Sequence, residues 1–420
     1  MIRNQRLSNG LTLLTESIPH VRSVSLGVWL TRGSRHEPAP LNGVSHFLEH
    51  LVFKGTATRS SREIALAMDS LGGQMDAFTT KEYTCFYAKV LDEHLPAAVD
   101  LLADIVQNPR FDPLEVERER KVVLEEIRMV EDTPDELVYD LFAQHFYRGS
   151  ALGRPIQGTA DTLRALSRPR LMRFFRAAYR PGNMLIAAAG SLRHDRLAPV
   201  IRKAFGAMKH GNGDASTSRR PRARGGVVRK AKRDLEQTHL LLGLPAYPED
   251  FGDRYTLYVL NTLLGGTMSS RLFQKIREQR GLAYSVYSGV NGFRDCGFLM
   301  VYLATSPARS KEAVEVILDD LVELREKGPS ESELQVAKEH LKGSLMLALE
   351  STSSRMSNLA RQHMYFGRQF TLHEIIRGIE AVSVEGVHAL GRNLFRDTPV
   401  ALAAVGALGR FRMSPAGLRL

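Results

Sequence analysis

The stretch Gly43-Val44-Ser45-His46-Phe47-Leu48-Glu49-His50 decides how this chain of 420 residues is read. His46 and His50 stand at i and i+4, so on an α-helix both imidazoles leave one face and can converge on a single metal ion. Glu49 lies beside them, where a carboxylate can take a proton from a water that the metal activates. The order His-x-x-Glu-His is the reverse of the commoner His-Glu-x-x-His and is a hydrolase signature in its own right. Leu48, Leu51, Val52 and Phe53 interleave with these polar residues, which predicts a buried amphipathic helix ending near Lys54-Gly55. A surface pair of histidines needs no function, and it is this apolar context that favours the metal.

A tetrahedral catalytic zinc takes three protein ligands and leaves its fourth position to water. The third is sought in the helical pattern from Asp112 to Thr133, where Pro113 follows a capping Asp and Val116, Val122, Val123, Leu124, Ile127 and Val130 are apolar. Glu119 and Glu126 are seven residues apart and share one face of that helix. One can bind the metal while the other orients a ligand from behind. The bland reading is a solvated face in which glutamates pair with Arg118, Arg120, Lys121 and Arg128. Periodicity does not choose between Glu125 and Glu126.

Several motifs in order carry a resemblance over nearly the whole chain: Asn9-Gly10-Leu11, the His46 to His50 run, Glu125-Glu126-Ile127, Ser270-Arg271-Leu272-Phe273, and Arg280-Gly281-Leu282-Ala283-Tyr284-Ser285-Val286. The chain resembles the pitrilysin-type, or inverzincin, zinc metallopeptidases, and within them the processing-peptidase branch. The resemblance implies one Zn2+ per chain, held by His46, His50 and Glu126, with Glu49 as base and Glu119 as the carboxylate behind a ligand. It implies that Arg277 and Tyr284 face a zinc and hydrogen-bond the substrate and the developing oxyanion, a role that guanidinium and phenol donors suit. It makes the segment containing Asp76, Ala77 and Phe78 an edge strand to which an extended peptide adds by β-pairing. Asp76 stands where many relatives have Asn, which leaves the backbone pairing as the expected contact. Glu136 and Asp140 match acidic positions that receive a basic side chain, so a preference for Arg or Lys near the cleavage site is expected. The resembled enzymes build a closed chamber from four such domains, which implies a homodimer, with Arg277 and Tyr284 reaching the zinc of the other protomer.

Composition agrees. With 43% hydrophobic and 25% charged residues, the chain is globular and long enough for two cores. The expected division is a zinc-binding domain over 1–208, a basic Gly/Ser/Arg linker over 209–233, and a homologous domain without metal over 234–420. In each half an apolar strand leads to a helix, then a strand pair, then two long helices, so the expected class is α+β, each domain a mainly antiparallel sheet covered by helices. The second copy has lost the metal chemistry: Tyr255 to Gly266 holds no histidine or carboxylate, and the counterpart of Glu126 falls near Ser344.

The linker holds nine Lys or Arg against Asp214, a net +8 of the chain's formal +11. It has no aromatic residue and the rest is nearly balanced, which weighs against nucleic acid as a partner. Residues 1–20 carry charges and no apolar signal core, and no run is long enough to span a membrane. Cys85 and Cys296 are too few for a disulfide framework and read as packing residues, so a reducing cytoplasm is the simplest compartment. The rival function is a non-catalytic structural or partner subunit of a processing-peptidase-like assembly. Retention of the whole His46/Glu49/His50/Glu126 set argues against it.

Overall fold

The computed structural model describes residues 1–211, 220–409, 411–418 and 420. They form two compact units. The first contains the strands β1 (Ile2–Arg6), β2 (Thr12–Ser17), β3 (Ser23–Leu30), β4 (Gln74–Thr79), β5 (Thr84–Leu91) and β6 (Met184–Gly190), in the sheet order β1-β2-β6-β3-β5-β4. Only β2 and β6 run parallel. β3 and β6 are buried along nearly their whole length because both faces of the sheet are covered. On one face Val24, Leu26, Val28, Phe86 and Ile186 meet Phe47 and Leu48 of α1 (Val44–Leu51), Ile64 and Met68 of α2 (Ser61–Ser70), and Leu102 of α3 (Leu95–Gln107). On the other, Leu14, Trp29, Cys85 and Leu185 meet Met356, Leu359 and Ala360 of the helix Thr352–Phe366. Ser25 reaches the same helix through its hydroxyl, 2.9 Å from that of Thr352.

The chain continues through α4 (Pro113–Asp132) and α5 (Pro134–Phe146). The second unit contains β7 (Gly226–Ala231), β8 (Thr238–Ala246), β9 (Ala283–Gly292), β10 (Gly297–Thr305) and β11 (Ala401–Gly406), in the order β7-β11-β8-β10-β9. With β7 and β11 parallel and the rest antiparallel, this repeats β2-β6-β3-β5-β4 strand for strand. One face is packed by Leu257 and Leu260 of Arg254–Asn261, Ile317 and Leu321 of Ser310–Lys327, and Leu390 of Val384–Leu394. The other is packed by Leu137, Val138, Phe142 and Phe146 of α5. A Cβ on Gly243 of β8 would lie 2.3 Å from Cζ of Phe142, so only glycine lets α5 come this close.

The α+β class and the duplicated sheets therefore stand, but neither unit is one continuous piece of chain. Met129–Gly153, with α5, packs in the second unit, and Leu347–Gln369 packs in the first. The expected linker over 209–233 also differs at its end. Residues 212–219 lie outside the described residues, whereas residues 226–231 form β7, the edge strand beside β11. Its Arg and Lys side chains read as solvated linker, yet a strand at a sheet edge tolerates them because pairing uses the backbone. Cys85 and Cys296 are buried and are not joined in a disulfide. Among the described residues no helix is long and apolar enough to cross a membrane.

Candidate metal centre

α1 is fixed at its start before its side chains matter. Gly43, at φ 94°, precedes the helix, and a Cβ there would lie 2.4 Å from the carbonyl oxygen of Gln157. The carboxylate of Glu37 is buried behind it. It accepts the backbone N–H groups of Gly43 and Ser45, each at 2.8 Å, and the side-chain amide of Asn42 at 3.1 Å. The two backbone groups are donors that a helix start otherwise leaves unmet. Sequence reading missed Glu37: it lies outside the apolar period, and its only signal was an acidic residue a few positions ahead of a helix.

Val44, Phe47, Leu48 and Leu51 enter the core, which leaves His46, Glu49 and His50 together on the half-buried side of α1. α4 brings Glu126 to them. Nε2 of His50 lies 3.6 Å from Oε1 of Glu126, and Nε2 of His46 lies 3.8 Å from Oε2. One candidate ligand atom from each residue falls within 4.8 Å of the others, and no other such group exists among the described residues. These gaps are too long for hydrogen bonds and suit atoms arranged around a cation. Among the described residues, Oε2 of Glu126 is buried with no hydrogen-bond partner, as is Nδ1 of His46. Burial, and then the neighbouring His50, pushes the His46 imidazole down to about 4, so it is neutral near pH 7 with a lone pair to give. The donor set fits zinc.

Glu125 is turned away, paired at 2.7 Å with exposed Arg128, which separates it from Glu126 in a way periodicity could not. Glu119, nearly buried, accepts from Nδ1 of His50 at 3.2 Å and from the ammonium of Lys54 at 2.8 Å. That bond sets the His50 tautomer and leaves Nε2 free on the Glu126 side. Burial pushes the Glu49 carboxyl above the usual carboxylate range, against the opposing pull of the Thr79 hydroxyl, which donates to Oε2 at 2.6 Å.

β4 is the last strand of its sheet, next to β5 alone. Asp76 is exposed and its Oδ1 accepts the N–H of Ala77 at 2.8 Å. Ala77 packs toward the core, and Phe78 points to the opposite face, 5.8 Å from the Trp29 ring. The remaining expected residues belong to the second unit. Arg277 donates to the carbonyl of Tyr284 at 3.1 Å and lies 4.3 Å over its ring. Tyr284, near the start of β9, is 78% exposed. Glu136 and Asp140 sit one turn apart on α5, which belongs to this unit, whereas His46, His50 and Glu126 belong to the first.

Two family models match the chain: "Insulinase (Peptidase family M16)" over residues 12–160 and "Peptidase M16 inactive domain" over residues 165–341. A Bacillus subtilis protein named as zinc protease YmxG is 43% identical over 97% of this chain and 99% of its own. A zinc protease of Mycobacterium tuberculosis is 43% identical over 99% of this chain and 96% of its own. Among solved structures, a Helicobacter pylori protease superposes with a TM-score of 0.90 at 21% identity, over 97% of this chain and 99% of the other. A chain of complex III2 from Candida albicans superposes with a TM-score of 0.86 at 20% identity, with 100% of both covered, so the fold alone does not separate a protease from a subunit of a larger assembly. The sequence relatives do, and the chain belongs to the insulinase-type zinc metallopeptidases, peptidase family M16.

Proposed function

We propose that the chain is a zinc endopeptidase for extended peptide segments, holding one zinc ion through His46, His50 and Glu126 and using Glu49 as general base. The observation that supports this most is the convergence of those three side chains, with ligand atoms within 4.8 Å of one another, beside the half-buried carboxylate of Glu49 on α1. A bound zinc ion supplies Lewis acidity, which makes water a nucleophile near neutral pH and polarises the scissile carbonyl. Glu49 takes the proton of the attacking water and delivers it to the leaving amine. Glu119 holds the His50 ring through Nδ1.

The exposed edge of β4 offers unpaired backbone groups to a peptide, and pairing through the backbone makes sequence preference weak. Arg277 and Tyr284 donate to the substrate and to the developing oxyanion, and in a homodimer they come from the partner protomer. Glu136 and Asp140 favour a basic substrate residue. Two buried cysteines outside any disulfide suit a reducing compartment such as the cytoplasm.

The test is cleavage of a mixed peptide library by zinc-loaded protein, by chelator-treated protein and by the latter after zinc is returned. Internal cleavage that follows the zinc supports the reading, and a zinc-loaded protein that cuts nothing contradicts it. Within the same library, equal rates for Arg-containing and Arg-free peptides would remove the basic preference alone.

A further inference from the structure

The edge strand and the base are joined by one hydroxyl. Thr79, the last residue of β4, donates from Oγ1 to Oε2 of Glu49 at 2.6 Å, and among the described residues it is the one hydrogen-bond partner of the Glu49 side chain. The proton on Thr79 has no better destination. Its cross-strand partner Thr84, 3.3 Å away between hydroxyl oxygens, donates its own proton to the carbonyl of Arg32 at 3.1 Å. A carboxylate oxygen is the stronger acceptor, and a hydroxyl bonded to it at this length is among the strong side-chain contacts.

Thr79 is also held in place from the other side. The turn after it is closed by the N–H of Thr80 to the carbonyl of Tyr83 at 2.8 Å, and the Thr80 and Lys81 carbonyls accept the N–H groups of Ser34 and Arg35 at 3.1 and 2.8 Å. One end of β4 is thus anchored and the rest is a free edge. Met75 and Ala77, at alternate positions on the α1 side, pack against the core, and Thr79 continues that row.

We propose that Thr79 is a positioning residue for peptide hydrolysis: it holds Oε2 of Glu49, leaves Oε1 to meet the attacking water, and ties that orientation to the strand on which the substrate backbone pairs. The inference rests on the reading of Glu49 as base. A flexible carboxylate beside a reacting water loses rate through misplacement alone, without any change in metal or substrate affinity.

The test measures kcat, KM and zinc content of the zinc-loaded enzyme for Thr79→Val, which keeps the shape and loses the hydroxyl, and Thr79→Ser, which keeps the donor. The expected result is a fall in kcat of about 10- to 100-fold for Thr79→Val, with KM within about twofold, zinc unchanged and Thr79→Ser close to wild type. In a Glu49→Gln background, Thr79→Val should cost little more, because both changes remove one function. Unchanged kcat in Thr79→Val, loss of zinc, a change in KM alone, or failure of Thr79→Ser to restore kcat would overturn the inference. If Glu49→Gln itself remains active, the reading of Glu49 as base fails instead, whatever Thr79→Val does.

Discussion

The helix α1 and the helix Arg254–Asn261 occupy the same place in two sheets of the same topology, each following the central strand, β3 or β8, and preceding the edge strand, β4 or β9. Both bury one apolar side in a core: Phe47, Leu48 and Leu51 in one, Leu257 and Leu260 in the other. They differ on the outward side. α1 presents His46, Glu49 and His50, and the later helix presents none of these types. The duplication shows that the fold asks only for the apolar side. The candidate metal site is an addition on the side the fold leaves open, and the other copy lacks it while the sheet keeps its strand order.

That comparison is broken most severely at the proposed metal ligands. His46→Ala should abolish zinc binding and lower cleavage by at least about 1,000-fold, because two remaining ligands do not hold a catalytic zinc, while the fold persists in circular dichroism. A variant with full zinc and near-normal cleavage would mean that the two copies do not differ in the way described here. A smaller effect is expected from the second unit. If Arg277 is the oxyanion donor proposed above, Arg277→Ala should lower kcat by about 100-fold with one zinc still bound, and loss of zinc in that variant would instead make Arg277 a structural residue. The smallest effect probes what the copies share. Gly243→Ala should lower unfolding stability by about 1–3 kcal/mol, read from the denaturation midpoint, because the added methyl meets Phe142, and zinc content should not change.

Much of this was legible in the sequence, for physical reasons. A helix with two histidines at i and i+4 and an apolar opposite side has one plausible orientation. β3, β5, β8 and β10 announce themselves as apolar runs, because strands covered on both faces need no polar alternation. The exchange of α5 and Thr352–Phe366 was not legible. Each is an amphipathic helix that follows a long helix of its own half, and periodicity says which side of a helix is buried without saying which sheet buries it. β7 was hidden by Arg229 and Lys230, since an edge strand is specified by backbone pairing with β11 rather than by apolar side chains. Glu37 and Thr79 are tied to α1 by hydrogen bonds, the first accepting from Asn42, Gly43 and Ser45 and the second donating to Glu49, and such bonds leave no period to read.

The most direct test of the central claim is zinc content and peptide cleavage of wild type beside Glu49→Gln. One zinc per chain in both, with cleavage confined to wild type, is the predicted result, because Gln keeps the shape of α1 and cannot accept the proton. Equal cleavage by the two proteins, or a wild type that binds no zinc, would contradict the account.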